Sequence, residues 1–159
     1  MPDHHSLPGI ASNARKFLET VWPDWQHERH QRYGCPMPAV MSYSTCASSS
    51  TFLQKVLDGF GVISEVRHGW FLVEPSSSPL SSETRHTWVV SGPWLIDITA
   101  DQFGADEVIV TSRSDDRYRS DVDVALPEFR LLRIQSVLEI WDRWLASPMR
   151  EKLTVVHKS

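Results

Sequence analysis

The 159-residue chain has room for one domain, and with 41% hydrophobic and 23% charged residues it has the composition of an ordinary globular protein. Sixteen Lys and Arg against twenty Asp and Glu leave a net charge of −4 with no basic stripe, which argues against nucleic acid as a partner. No 18-residue apolar stretch is present to span a membrane, and no apolar run follows a positive start within residues 1–13, so a cytoplasmic location is expected.

Residues 1–9, with Pro2, His4, His5 and Pro8, read as a flexible N-terminus, and 10–159 as a single domain. The paired histidines there are expected to be exposed rather than to bind metal. Ile10, Ala14, Phe17, Leu18, Val21 and Trp22 fall on one helix face, which predicts a helix stopped by Pro23. The polar stretch 24–38 is broken by Gly34, Pro36 and Pro38, with a short helix expected over 25–32.

Ser44 or Thr45 is a good N-cap, and residues 46–58 run without Gly or Pro up to Gly59. Cys46, Ser50, Leu53 and Leu57 share one face of that helix, so Cys46 falls in its first turn and faces whatever the helix packs on. Residues 62–66 and 70–73 read as a hairpin around His68 and Gly69, with His68 on the surface. Residues 75–84 form a Ser/Pro-rich loop. A second hairpin joins 86–90 to 94–98 through Ser91-Gly92-Pro93, followed by a strand at 108–111 and a charged loop at 112–121. Ile134, Val137, Leu138, Trp141 and Leu145 mark a last amphipathic helix. Helices followed by strands and a helix give an α+β layout.

Two cysteines, Cys35 and Cys46, lack disulfide context and zinc-site spacing, so no metal and no cofactor is expected. A thiol at a helix start has a chemical advantage. Free backbone N–H groups and the positive end of the helix dipole favour thiolate, the nucleophilic form. His86 opens the apolar run Thr87-Trp88-Val89-Val90, and Asp97 lies within Trp94-Leu95-Ile96-Asp97-Ile98. A buried carboxylate is costly unless paired. If Ser91 and Gly92 form the turn, His86 sits opposite Asp97 on one sheet face, where the carboxylate can orient the ring. Cys46, His86 and Asp97 are therefore the expected nucleophile, base and orienting acid. Cys35, in a Gly-Cys-Pro turn, is the rival thiol. Gln26, Asn13 and Tyr43 are all open as oxyanion donors, Trp88 and Trp94 as substrate-lining residues, and 101–104 as a turn at the cleft rim.

The segments Thr45-Cys46-Ala47, His86-Thr87-Trp88-Val89 and Trp94-Leu95-Ile96-Asp97-Ile98-Thr99 resemble the transglutaminase-like enzymes, with the helix end Leu57-Asp58-Gly59-Phe60-Gly61 also similar. The arylamine N-acetyltransferases, with the same Cys, His, Asp order, look similar too. The resemblance covers about residues 40–100. The Gly that often precedes the family's Cys is replaced by Thr45, the acetyltransferases' Arg-Gly-Gly-x-Cys motif is absent, and no calcium-site cluster is evident.

The resemblance implies a papain-like fold in which N-terminal helices, one bearing the nucleophile, pack on an antiparallel β-sheet. It also implies a Cys-His-Asp triad acting through an acyl-enzyme on an amide, ester or thioester carbonyl. The substrate would be a peptide, a protein or a small acyl compound, with peptidase or deamidase activity ahead of acyl transfer. The alternative is a non-catalytic papain-like binding module or protein-interaction domain.

Overall fold

A computed structural model of the chain describes residues 6–73 and 84–150. His4 and His5, nearly all of the Ser/Pro-rich loop, and residues 151–159 lie outside them. The order is α1 (Ser6–Glu19), α2 (Trp22–Tyr33), α3 (Cys46–Gly59), β1 (Glu65–Phe71), β2 (Arg85–Ser91), β3 (Trp94–Asp97), a 3-10 turn (Ala100–Phe103), β4 (Ile109–Ser112), β5 (Tyr118–Asp121) and α4 (Pro127–Leu145). Among the described residues the architecture is α+β: helices α1 to α4 and the 3-10 turn with one five-stranded antiparallel sheet, in the order β4-β3-β2-β1-β5.

α1 carries the expected apolar face but starts at Ser6, because Leu7 joins Ile10, Ala14, Phe17 and Leu18 in the core. Pro23 does not end a helix; it sits in the first turn of α2, where its missing N–H has no intrahelical partner to lose. α2 then runs to Gly34, whose φ of 70° closes it with an N–H bond to the His30 carbonyl. α3 matches its expected bounds. Its buried face of Ser50, Leu53 and Leu57 is widened by Ser49, Phe52 and Val56.

The hairpin expected around His68 and Gly69 is a single strand, β1. Gly69 sits within it opposite both His86 on β2 and Ser120 on β5. A Cβ at Gly69 would lie 1.8 Å from the Arg119 carbonyl oxygen, so only glycine lets β5 approach this closely. β5 itself falls in the segment read as a charged loop. Its exposed Arg119, Ser120 and Asp121 carry no apolar alternation, and pairing with β1 makes it a strand.

The β2–β3 turn is Gly92-Pro93 rather than Ser91-Gly92, since Ser91 pairs with Trp94. Gly92 has φ 55°, the positive value a type II′ turn needs at its first central position; the proline ring at the second excludes type I′. The register thus differs by two residues from the expected one. A two-residue shift preserves face, so His86 and Asp97 remain on the same side of the sheet.

The sheet separates two cores. Val66, Val89 and Ile96 face α3 and join the main cluster, in which Phe17, Phe52 and Trp144 stack edge and face with centroids 5.5 Å apart. The other face carries His86, Trp88, Val90, Leu95 and Asp97, with Phe71 and Tyr118. α4 buries Val137, Ile140 and Trp144, a stripe rotated from the expected one, so that Ile134, Leu138 and Leu145 are exposed. No helix among the described residues is long and apolar enough to cross a membrane.

Candidate active site at the start of the third helix

Cys46 is the first residue of α3, above the start of β2. The loop before it is held from three directions. Thr45, the N-cap, donates its hydroxyl to the Ser42 carbonyl at 2.8 Å, and Ser49 donates to the Thr45 hydroxyl at 3.1 Å. Trp22 closes that chain by donating its indole N–H to Ser49 at 3.0 Å. Ser42 donates to Asp101 Oδ1 at 2.7 Å, and the buried Arg15 grips both Asp101 oxygens at 2.7 and 3.0 Å. Gln102 Oε1 accepts the Ser44 N–H at 3.2 Å, where Ser44 holds the positive φ of 63°. Asp101 and Gln102 follow Asp97 by four and five residues, so one network ties the loop before Cys46 to the end of β3.

His86 and Asp97 are nearly sealed, at 2% and 1% exposure. His86 Nε2 and Asp97 Oδ2 lie 2.7 Å apart. Asp97 also accepts the Thr99 backbone N–H on Oδ1 at 3.0 Å and the Tyr118 hydroxyl on Oδ2 at 2.8 Å. Burial pushes the Asp97 carboxyl up, but the His86 charge and bond, followed by Thr99 and Tyr118, hold it below the ordinary carboxylate value. An ionised carboxylate only accepts, so Asp97 fixes the His86 proton on Nε2 and leaves Nδ1 as the basic nitrogen.

Nδ1 is buried, and no described residue makes a hydrogen bond of ordinary geometry to it. The imidazole nevertheless interacts with the Cys46 thiol. The residue Cys46 retains some exposure, yet burial is the largest influence on its thiol and pushes it up. The His86 bond and charge and the Thr87 hydroxyl outweigh that, so the thiol titrates below its ordinary value. For His86 the same burial is overcome by Asp97 and then Cys46, which raise it to about 10. Both shifts favour thiolate beside imidazolium.

An aromatic box surrounds the ring: Phe103 meets it edge-on at 5.0 Å, Phe71 edge-on at 6.0 Å and Trp88 tilted at 6.0 Å. Trp88 is 1% exposed and borders only a small cavity of about 140 Å³, because it packs beneath Tyr118 at 5.1 Å. Trp94 is half-buried against the main core. Neither tryptophan lines an open cleft over the thiol. Phe103 belongs to the turn expected at the rim, whereas Tyr118, Phe71 and Thr87 lie at the candidate site without having been singled out from the sequence; Tyr118 lay among charges that masked its strand.

The oxyanion candidates separate cleanly. Gln26 donates to the Met41 and Tyr43 carbonyls at 2.9 and 2.6 Å, so its amide is a clamp on the loop. Asn13 donates within α1 to Gly9, and Tyr43 is exposed beneath the Arg29 guanidinium. The first-turn backbone N–H groups of α3 are the remaining donors. Cys35 is a free thiol beyond α2, and its carbonyl accepts a bond from His30. Among the described residues no cluster of three His, Cys, Asp or Glu side chains is arranged to hold a metal.

No family model, no curated protein and no solved structure matches the chain.

Proposed function

We propose that the protein is a cysteine-dependent hydrolase or acyl-transfer enzyme of the transglutaminase-like, papain-fold kind. One arrangement supports the reading: a sealed imidazole, held by Asp97 at 2.7 Å through Nε2, whose charge favours the thiolate form of a cysteine at a helix start. In this reading Cys46 thiolate attacks a carbonyl carbon of an amide, ester or thioester. The carbon–sulfur bond forms, the carbonyl π pair moves to oxygen, and the first-turn N–H groups of α3 stabilise that charge. Collapse expels the leaving group, which takes the proton from His86 Nδ1. The neutral imidazole then deprotonates water, or an amine, which releases the acid or the transferred product and restores the thiolate. Hydrolysis of a peptide or side-chain amide is the favoured outcome.

A second reading, a non-catalytic papain-like binding module, draws on one fact. A cavity of about 450 Å³ between α2 and α4 is lined by Tyr43, Ser44, Thr45, Ala47 and Ser48 on both sides of Cys46, but not by Cys46, His86 or Asp97.

Intact-mass analysis after incubation with an activated acyl ester separates the two. The enzyme reading expects one acyl adduct, mapped to Cys46, that decays with time and is missing in Cys46→Ala and strongly slowed in His86→Ala. An adduct that is absent, or equally fast without His86, favours the binding module.

A further inference from the structure

The cavity between α2 and α4 touches the start of α3 through the residues on either side of Cys46. Its volume of about 450 Å³ lies within the roughly 300–1,000 Å³ usual for small-molecule sites. The wall next to Cys46 is held in place from α2, where Gln26, itself part of the lining, donates to the Met41 and Tyr43 carbonyls.

The lining is unbalanced in charge: it holds Arg29, Arg32 and Arg133 but a single carboxylate, Glu28. In a chain of net charge −4 such a local excess of cations is unusual. Two of the guanidiniums are already committed, Arg32 to Glu28 at 3.0 Å and Arg133 to Asp123 at 2.7 Å. Arg29 has no carboxylate partner among the described residues, and it lies over the Tyr43 ring, 5.5 Å from the centroid. A guanidinium placed over a ring keeps N–H donors at its edge, and their fork matches the two oxygens of one carboxylate. Around it, Tyr33, Tyr43 and Phe129 are exposed, and Trp25 is half-buried. Exposed rings grouped about a concavity mark a place where another apolar group is bound.

We propose that this cavity is the substrate subsite beside Cys46 and that it takes an aromatic group bearing a carboxylate. Arg29 receives the carboxylate, and Trp25, Tyr33, Tyr43 and Phe129 enclose the ring. The substrate class is then a small N-acyl aromatic amino acid, its amide directed toward Thr45 and Ala47. Cleavage breaks the carbon–nitrogen bond, with water supplying a hydroxyl to the acyl carbon and a proton to the amine. The substrate role rests on Cys46 being the nucleophile, whereas the choice of ligand rests on the cavity alone.

The test is calorimetric titration of the full chain carrying Cys46→Ala, which cannot consume the probe, with N-acetyl-L-phenylalanine and with N-acetyl-L-phenylalaninamide. The two probes share ring and amide, so apolar burial cancels and the difference reports the carboxylate. The acid is expected to bind about tenfold more tightly than the amide. Arg29→Gln removes that preference, Arg29→Lys keeps part of it, and Ser48→Trp, which fills the cavity, weakens both probes. Equal binding of acid and amide, no binding of either, or a preference unchanged in Arg29→Gln overturns the ligand assignment. Should Arg29→Gln not fold, Ser48→Trp decides, and an undiminished affinity for the acid overturns the site. With wild-type thiol, the acid is expected to slow iodoacetamide alkylation of Cys46 several-fold; an unprotected, reactive Cys46 overturns the placement beside the nucleophile. A Cys46 that is inert without probe, with the acid's preference intact, counts against the catalytic reading and leaves the carboxylate site standing.

Discussion

Tyr118 donates its hydroxyl at 2.8 Å to the same Asp97 oxygen that His86 engages at 2.7 Å. The carboxylate therefore has two side-chain donors on Oδ2 and a backbone donor on Oδ1, all supplied by different segments. Burial and the neighbouring carboxylate push the Tyr118 phenol far above its ordinary value, so it remains a donor throughout the physiological range.

Replacing Tyr118 with Phe removes a bond to a buried charge while keeping the ring that packs on Trp88 and Phe71. Stability is expected to fall by about 1.5–3 kcal/mol, measured by urea unfolding. The Cys46 alkylation rate is expected to fall several-fold as Asp97 loses part of its grip on the ring. A fully retained stability places Tyr118 outside the carboxylate's support.

The charged pair carries a pH signature with two opposing signs. His86 is raised to about 10 when folded, so its stabilisation is complete below its unfolded value of about 6.5 and is lost as pH rises toward about 10. Cys46 is lowered, so its stabilisation is present above its unfolded value of about 8.5 and is lost as pH falls through the folded one. Between about pH 6.5 and 8.5 the slopes cancel wherever both shifts apply. Cys46→Ala keeps only the His86 slope, and its stability is expected to fall by up to about 1.4 kcal/mol per pH unit while wild type stays nearly level. Parallel curves from the two proteins contradict the coupling.

Gly69 offers a test of the β1–β5 contact that brings Tyr118 to the site. Ala at 69 drives its Cβ into the Arg119 carbonyl, so either β5 detaches or the fold is lost, with a destabilisation of about 3 kcal/mol or more. Gly9→Ala, in α1 with nothing within 4 Å of the added Cβ, is expected to gain about 0.5–1 kcal/mol. Thermal melts of both variants check the contrast.

Much of the frame was legible from local signals. The apolar stripe of α1, the span of α3 and the strands flanking Gly92 rest on periodicity and breakers, which act over a few residues. His86 and Asp97 stood out because titratable groups in apolar strands need partners. What escaped depends on non-local pairing. β5 has a polar composition and becomes a strand through its bonds to β1, so Tyr118 looked like loop. The β1 strand read as a hairpin because Gly69 signals a turn locally, whereas its purpose is a close approach by a strand some fifty residues later. α4's pattern left two adjacent stripes available, and packing against Phe17 and Phe52 selected the one holding Trp144. The loop 41–45 gave no warning that Arg15 and Asp101 hold it, because those residues are distant in sequence.

The central claim is that Cys46 and His86 form a thiolate–imidazolium pair, and iodoacetamide alkylation of the folded chain against pH tests it most directly. The account predicts one fast thiol with an apparent pKa well below about 8.5, abolished in Cys46→Ala and shifted upward in His86→Ala. A Cys46 that reacts slowly, or identically with and without His86, contradicts it.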